Sequence, residues 1–291
     1  MEDFSQNEGF IWYDGKLVDW KDAKIHVLTH GLHYASSVFE GERCYEGKVF
    51  REIEHTKRLH HSANTLGFEI PYTIEEICEI RKTVLEANNI KNGYIRPVSW
   101  RGSEMMGISA QKNTIHLAVA AWEWPSYYTP EARLKGIKLE LSKWKRPAPD
   151  TAPISTKSAG LYMICTLAKH EAERNGCEDA LMLDYRGYIA ETTSANIFLV
   201  INNEIHTPKA DCFLNGITRQ EVIKIAEDRG IKLVERHIKL EELAMADEVF
   251  CTGTAAEITP VSQIGDYTFK PDTICKLLIK EYTKATGQII I

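Results

Sequence analysis

Closely spaced turns divide the second half of the chain into short apolar strands. Four such runs follow one another: Ala180 to Asp184, Tyr188 to Ala190, Ile197 to Ile201 and Glu204 to Thr207. Strands this short, joined by tight turns rather than by helices, favour a sheet that curls on itself over a doubly wound parallel sheet. The sequence therefore predicts a C-terminal pseudo-barrel of short strands with a few helices.

The first half combines strands with paired helices. Asp14-Gly15 is a strong hairpin signal within an alternating segment. Helical spacing of apolar residues predicts helices over 52–66 and 74–87, and apolar runs predict strands over 94–100 and 114–122. This order predicts an N-terminal α/β sandwich, so the fold class is α+β with two domains.

The segment 125–136, PSYYTPEARLKG, separates the two patterns. Two prolines, a glycine and several charged residues make it the best linker candidate in the chain. We therefore predict an N-terminal domain over 1–124, a linker over 125–136 and a C-terminal domain over 137–291.

Composition excludes several classes of function. The chain has 291 residues and a net charge of −6, which argues against a nucleic-acid or anionic-membrane binder. Seven scattered cysteines without a C-x-x-C pair predict neither disulfides nor a metal site. The first residues have no basic segment followed by an apolar one, so no signal peptide is expected, and we predict a cytoplasmic protein.

Two loops carry exposed backbone donors. Asn215 to Thr218 precede a predicted helix, and Thr252 to Ala255 follow a strand with small residues that let a ligand reach the backbone. The free amides of a helix start attract anions, so the two loops together predict a phosphate site. Ordinary helix caps are the alternative interpretation of each loop alone.

Lys157 lies in ISTKSAGLY, a segment of small residues. A lysine in such surroundings is expected to be partly desolvated, which lowers the pKa of an amine and makes it a nucleophile for carbonyls. A plain loop lysine is the alternative.

A longer pattern connects these features. ETTSANIF, a strand ending at Thr207 and then FLNGITR follow one another in the second half. This stretch resembles the signature of the class IV, fold type IV pyridoxal-phosphate aminotransferases, and most closely the branched-chain amino acid aminotransferases. The resemblance extends from HGLHYASSVFEGERCY through GYIRP and KSAGLY to GTAAEITPV.

The resemblance implies pyridoxal 5'-phosphate as cofactor. Lys157 takes the place of the catalytic lysine that holds it as a Schiff base and moves the substrate proton. Glu191 matches the carboxylate at the pyridine nitrogen, and Tyr162 matches the tyrosine at the phenolate oxygen. The positions that match the phosphate-binding residues are Arg58, Ile217, Thr218, Gly253 and Thr254.

The resemblance also implies a substrate pocket. Tyr34, Phe39, Trp124 and Tyr127 match aromatic walls for a branched side chain. Tyr94 and Arg96 match residues that meet substrate carboxylates, and Thr254 and Ala255 match amides for the α-carboxylate. With Arg58 and Arg96 from one domain and Lys157 and Glu191 from the other, the active site is expected in the interdomain cleft.

Two positions depart from the family pattern. Ala195 stands where many relatives carry a glutamate that supports the phosphate arginine, so Arg58 is expected to be oriented differently here. Glu42 replaces a commonly apolar residue, and we expect a carboxylate close to the pocket to repel or redirect substrates.

The implied activity is ping-pong transamination of Leu, Ile or Val with 2-oxoglutarate. A D-amino acid transaminase, an (R)-amine transaminase and an aminodeoxychorismate lyase are the alternatives within the fold type, and a binding module without chemistry is the alternative outside it.

The expected partners are small amino acids and 2-oxo acids, with no nucleic acid and no membrane. The resemblance further implies a homo-oligomer, either a dimer or a dimer-based hexamer.

Overall fold

The computed structural model describes residues 3–124 and 135–288. The chain divides into two compact units. The first comprises Met1–Pro125 with Thr156–Gly160, and the second comprises Ser126–Ser155 with Leu161–Ile291. Most of the predicted linker, residues 125–134, lies outside the described residues.

The first unit is built on a seven-stranded antiparallel sheet in the order β2-β1-β7-β6-β4-β5, with β3 also paired to β6. Its strands are β1 (Phe10–Tyr13), β2 (Lys16–Asp19), β3 (Ser37–Phe39), β4 (Glu42–Tyr45), β5 (Lys48–Val49), β6 (Gly93–Arg101) and β7 (Ile115–Glu123). β3 and β4 pair with successive parts of β6, so Glu40 and Gly41 form a break between them. The predicted hairpin at Asp14-Gly15 is confirmed as the turn between β1 and β2.

The described part of this unit contains three α-helices: α1 (His30–Tyr34), α2 (Glu52–Thr65) and α3 (Ile74–Ala87). Two short 3-10 helices, Phe4–Gln6 and Trp20–Asp22, lie near its start. α3 begins at a capping box in which the Thr73 hydroxyl accepts from the Glu76 amide and the Glu76 carboxylate accepts from the Thr73 amide. The buried faces of α2 and α3 pack with the sheet in one apolar core.

The second unit contains a nine-stranded sheet that closes on itself. Its strands are β8 (Ile137–Leu141), β9 (Asp179–Leu183), β10 (Ile189–Thr192), β11 (Asn196–Ile201), β12 (Glu204–Pro208), β13 (Leu233–Arg236), β14 (Glu248–Gly253), β15 (Glu257–Ile264) and β16 (Tyr267–Thr268). The order β10-β9-β8-β15-β14-β11 returns to β10 through the pairing of Glu191 with Asn196. This ring encloses an apolar core and confirms the curled sheet that the short strands predicted.

Within the described residues, three α-helices accompany the ring: α4 (Met163–Arg174), α5 (Ile217–Asp228) and α6 (Thr273–Ala285). A 3-10 turn over Ala159–Tyr162 precedes α4, and another 3-10 segment spans Leu240–Met245. α6 was not among the predicted elements. Its first amides bind the buried carboxylate of Glu248, which accepts from Asp272, Ile274 and Cys275 at 2.6 to 3.0 Å. The helix therefore takes its N-terminal cap from a distant strand, which no local pattern reveals.

The segment Thr156–Gly160 belongs to the first unit, whereas the sequence placed it in the second half. Backbone contacts give the reason. Ser158 forms a bridge with Val38, the Phe39 amide donates to the Lys157 carbonyl at 3.2 Å, and the Lys157 amide donates to Ser62 Oγ at 3.0 Å. The backbone of Lys157 is thus fixed to β3 and α2.

No helix within the described residues is long and apolar enough to cross a lipid bilayer.

The capping box of α3 leads to a stability prediction. Thr73→Ala removes the acceptor for the Glu76 amide and should lower the free energy of unfolding by about 1 kcal/mol, the usual loss for an N-cap. Urea denaturation followed by circular dichroism measures the change. Thr83→Ala is the matched control because Thr83 is exposed within the same helix, where alanine favours the helix. Equal losses in both variants would contradict the role of the cap.

Candidate functional site

Lys157 is half-buried between two buried neighbours. Thr156 is 2% exposed and Ser158 is 3% exposed, so the side chain of Lys157 extends from a buried backbone segment. The Nζ atom of Lys157 lies 5.0 Å from the centre of the Phe39 ring. The amine is therefore held against an aromatic side chain, on a backbone fixed by β3 and Ser62.

Arg96 reaches the same ring from β6. Its guanidinium carbon lies 4.8 Å from the centre of Phe39 and 5.3 Å from that of Tyr94, and its Nη2 donates to the Tyr94 hydroxyl at 3.0 Å. Within the described residues the buried Nε of Arg96 has no hydrogen-bond partner. Two cations beside one ring, one of them with an unused donor, form an arrangement suited to a carboxylate.

Gly41 makes room for the Tyr94 hydroxyl. A Cβ atom at position 41 would lie 1.9 Å from that oxygen, much closer than any real contact. Trp124 packs on Tyr94 with ring centres 5.2 Å apart. The structure thus brings together four of the predicted pocket residues, Phe39, Tyr94, Arg96 and Trp124, with Lys157.

The other two predicted aromatic pocket residues are Tyr34 and Tyr127. Tyr34 is 43% exposed on α1, and its ring contact within the described residues is with His30, at 4.6 Å between ring centres. Tyr127 lies outside the described residues.

Arg58 is oriented by Glu40, which the sequence analysis did not single out. The Nε and Nη2 atoms of Arg58 donate to the two Glu40 oxygens at 2.7 and 2.9 Å, and His55 Nδ1 lies 2.6 Å from the same carboxylate. Burial alone would raise the pKa of Glu40, but Arg58 and His55 outweigh it and hold that pKa well below its usual range. Glu40 thus supplies a carboxylate that orients Arg58 within the first unit.

The expectation that Glu42 would face the pocket is wrong. Glu42 is completely buried, and its carboxylate pairs with Arg81 at 2.6 and 2.7 Å. Burial raises the pKa of Glu42, and the charge of Arg81 opposes that rise. The side chain is committed to an internal ion pair, because an unpaired carboxylate in the core would be strongly unfavourable.

In the second unit, Glu191 is held by two side chains. Its Oε1 pairs with the buried Arg146 at 3.1 Å, and its Oε2 accepts from Asn196 Nδ2 at 3.3 Å. Burial would lower the pKa of Arg146, but the Glu191 carboxylate, together with Cys165 and Tyr162, outweighs burial and raises that pKa. Arg146 was missed because a single arginine beside Pro147 has no pattern that indicates burial. Tyr162 ends the 3-10 turn before α4 and packs against a small cluster that includes Cys165.

Asn196 connects Glu191 to the start of α5. The amide of Gly216, the N-cap of α5, donates to Asn196 Oδ1 at 3.1 Å, and Ile217 and Thr218 form the first turn. A Cβ atom on Gly216 would lie 2.2 Å from Asn196 Oδ1, so this contact requires glycine. No acidic residue occupies this first turn, which leaves the positive end of the helix available to an anion.

The second predicted loop follows β14 in the same unit. Thr252 pairs with Asn196 across the sheet, and the Cβ position of Gly253 lies 3.4 Å from the Ala195 side chain. Thr254 and Ala255 form the turn to β15 and are half-buried. Glu191, Asn196 and the start of the β14 loop therefore lie on neighbouring strands of one sheet, and Gly216 contacts Asn196.

Two groups of described side chains have ligand atoms close enough for a metal ion: Glu40, Glu42 and His55, and Asp184, Asp211 and Cys212. Arginines already bind the carboxylates in both. In the second group, Arg186 donates to Asp184 at 2.7 Å and to Asp211 at 2.8 Å. These guanidinium groups supply the positive charge that a cation would bring, so we interpret both groups as ion-pair clusters.

Comparison with known proteins identifies the family to which this chain belongs. A family model described as amino-transferase class IV matches residues 37–264. A probable branched-chain-amino-acid aminotransferase of Rickettsia felis is 45% identical over 94% of each chain.

Two solved branched-chain amino acid aminotransferases are also similar. The structure of the Escherichia coli enzyme has a TM-score of 0.92 and 38% identity, covering 96% of this chain and 94% of that one. A structure solved with pyridoxamine 5'-phosphate, that of the T.th. enzyme, has a TM-score of 0.94 and 40% identity, covering 97% of this chain and 96% of that one. This chain therefore belongs to the class IV aminotransferases, and among them to the branched-chain amino acid aminotransferases.

Proposed function

We propose that this chain transfers the amino group of Leu, Ile or Val to 2-oxoglutarate, using pyridoxal 5'-phosphate bound covalently through Lys157. The group formed by Phe39, Lys157 and Arg96 carries the proposal. It places an amine and a guanidinium, 5.0 and 4.8 Å away, beside one apolar ring. Such a group can receive an aliphatic side chain and can also pair with a carboxylate.

The described residues fit a cofactor that carries a phosphate. The first turn of α5 offers free amides, and within the described part of the chain the buried Thr252 hydroxyl has no hydrogen-bond partner. Thr252 pairs with Asn196, so its side chain lies on the face of the sheet where Asn196 meets the start of α5. We assign the phosphate to Arg58, Ile217, Thr218, Gly253 and Thr254.

When bound, pyridoxal phosphate supplies a ring that stabilises the negative charge left at the substrate Cα. We assign the removal and return of the Cα proton to Nζ of Lys157, whose backbone is fixed by Ser62 and Phe39. Glu191, oriented by Arg146 and Asn196, is assigned to the pyridine nitrogen. Tyr162 is assigned to the phenolate oxygen.

Substrate recognition is assigned to the aromatic group of the first unit. Phe39, Tyr94 and Trp124 provide apolar surface for a branched side chain. The unused Nε donor of Arg96 is assigned to the distal carboxylate of glutamate or 2-oxoglutarate. The α-carboxylate is assigned to the amides of Thr254 and Ala255. The position of this site in an interdomain cleft, like the cytoplasmic location, stays a prediction.

A homo-oligomer is proposed on the basis of exposed apolar residues in the first unit. These residues surround α1 and the segment before it, and His30 Nε2 connects them to the loop at Gly107 through a 3.0 Å contact. They are Ile25, Val27, Leu28, Leu32, Tyr34 and Ile108, each between 43% and 80% exposed. A patch of this kind on a protein surface indicates a protein contact, and we propose that a second copy covers it.

The assignment of Lys157 is tested by chemical trapping. Borohydride reduction of the holoenzyme should leave a phosphopyridoxyl group on the peptide that contains Lys157, because hydride converts the C=N bond into a stable amine. Peptide mass spectrometry identifies the modified residue, and the peptide with the nearby Lys145 serves as the internal control. A phosphopyridoxyl group on other lysines alone would rule out Lys157.

The substrate class is tested by half-reactions. Absorbance changes of the holoenzyme should appear with L-Leu, L-Ile and L-Glu, and not with D-Ala or (R)-phenylethylamine. Single-turnover spectra measure these changes without a coupled assay. Conversion of D-Ala without conversion of L-Leu would replace the branched-chain proposal by the D-amino acid alternative.

The role of Arg96 is tested by Arg96→Leu. The half-reaction with L-Glu should slow roughly 10- to 100-fold, the loss expected when a charge-assisted hydrogen bond worth about 1.5–3 kcal/mol is removed. The half-reaction with L-Leu should change much less, because its side chain carries no charge, and it serves as the internal control. Equal slowing of both half-reactions would contradict the assignment of Arg96 to the distal carboxylate.

A further inference from the structure

The ion pair of Glu42 with Arg81 is buried next to the ion pair of Glu40 with Arg58. Glu40 and Glu42 are two residues apart, both completely buried, and each binds one arginine through both carboxylate oxygens. One oxygen of each carboxylate and a ring nitrogen of His55 lie within 4.8 Å of one another. The two pairs are thus neighbours in one charged cluster inside the first unit.

Each guanidinium nitrogen of Arg81 lies within 2.7 Å of a polar atom in this cluster, although the contact of Nε with Glu42 lacks hydrogen-bond geometry. Its Nε lies 2.6 Å from one Glu42 oxygen, its Nη2 donates to the other at 2.7 Å, and its Nη1 donates to Thr56 Oγ1 at 2.6 Å. Thr56 adjoins His55 on α2 and donates in turn to the carbonyl of Glu52 at 2.7 Å. Arg81 therefore connects α3 to β4 and to the turn of α2 that carries His55.

Each ion pair is needed for the other because buried charges are weakly screened. If Glu42 lost its charge, Arg81 would be an uncompensated cation close to Glu40, and it would compete with Arg58 for that carboxylate. If Arg81 lost its charge or its fork of donors, Glu42 would compete with Glu40 for the remaining cations. In both cases Arg58 would lose the partner that fixes its direction.

We propose that Glu42 and Arg81 are positioning residues for the phosphate site: by neutralising each other, they reserve Glu40 for Arg58. This inference rests on the proposed role of Arg58 in binding the cofactor phosphate. Glu42 and Arg81 act through Glu40 and His55 and do not touch the cofactor. The expected consequence of disturbing them is a loss of affinity that depends on the phosphate group of the ligand.

The test compares pyridoxal 5'-phosphate with pyridoxal, which lacks the phosphate. The dissociation constants of both are measured by absorbance on the apoprotein of the wild type, Glu42→Gln, Arg81→Lys and the double variant Glu42→Leu/Arg81→Leu. Circular dichroism establishes that each variant is folded.

Glu42→Gln should raise the dissociation constant for pyridoxal phosphate roughly 10-fold, the order expected when one charge-assisted contact is lost, and should change that for pyridoxal much less. Arg81→Lys should also raise the dissociation constant for pyridoxal phosphate, but by a smaller factor. Lysine keeps the positive charge but cannot bind both carboxylate oxygens as arginine does. The double variant should return to within about threefold of the wild type, because an apolar pair leaves no competing charge near Glu40.

A merely structural role for the pair predicts a different result, in which affinities for both ligands fall together or only the melting temperature falls. That result, or a double variant as weak as Glu42→Gln, would overturn the inference. If Glu42→Gln does not fold, Arg81→Lys decides in its place, and an unchanged preference for the phosphorylated ligand in that variant overturns the inference.

Arg58→Gln separates this inference from the proposed function. If Arg58→Gln leaves the affinity for pyridoxal phosphate unchanged, the assignment of Arg58 to the phosphate fails, and the inference fails with it. If Arg58→Gln weakens the binding of pyridoxal phosphate but Glu42→Gln does not, only the inference about Glu42 and Arg81 fails.

Discussion

A charge buried in the protein interior must be neutralised where it lies, and this constraint organises the charged residues of both units. In the first unit, Glu40 with Arg58 and Glu42 with Arg81 form paired charges inside the core. In the second unit, Glu191 meets Arg146 at the strand pairing that closes the barrel. The acidic chain, with its net charge of −6, thus offers anionic ligands a few cations whose directions are set by buried carboxylates.

The same constraint explains how short strands hold polar side chains in fixed positions. Strands β3 and β4 are only three and four residues long, yet the break between them carries Glu40 and Gly41, which orient Arg58 and admit the Tyr94 hydroxyl. Closure of the barrel likewise brings Asn196 between Glu191 and the first amide of α5. In each case a backbone pairing fixes a polar group, and that group then fixes the next one.

Sequence patterns predicted much of the fold and part of the candidate site. Periodicity located α2 and α3, and turn signals located the first hairpin and the curled sheet, because these patterns depend on neighbours along the chain. The predictions did not include α6, although its buried residues Ile274, Cys275, Leu278 and Tyr282 recur at helical spacing; only its N-terminal cap, Glu248, comes from another element. They also missed Glu40 and Arg146. Glu40 and Glu42, two residues apart in an apolar segment, were a signal for buried ion pairs. Their partners Arg58 and Arg81 lie on α2 and α3, and the spacing of the glutamates does not identify them.

By itself, the sequence determined the family, the cofactor chemistry and the types of residue available for it, because these depend on motifs that are continuous in the chain. Only the tertiary structure decided which charges meet. It directed Glu42 to Arg81 instead of to a substrate, gave Arg58 a carboxylate from the break between β3 and β4 in place of one beside Asn196, and joined Lys157 to β3. The physical reason is that the energy of a buried charge depends on distances of a few ångströms between residues far apart in sequence.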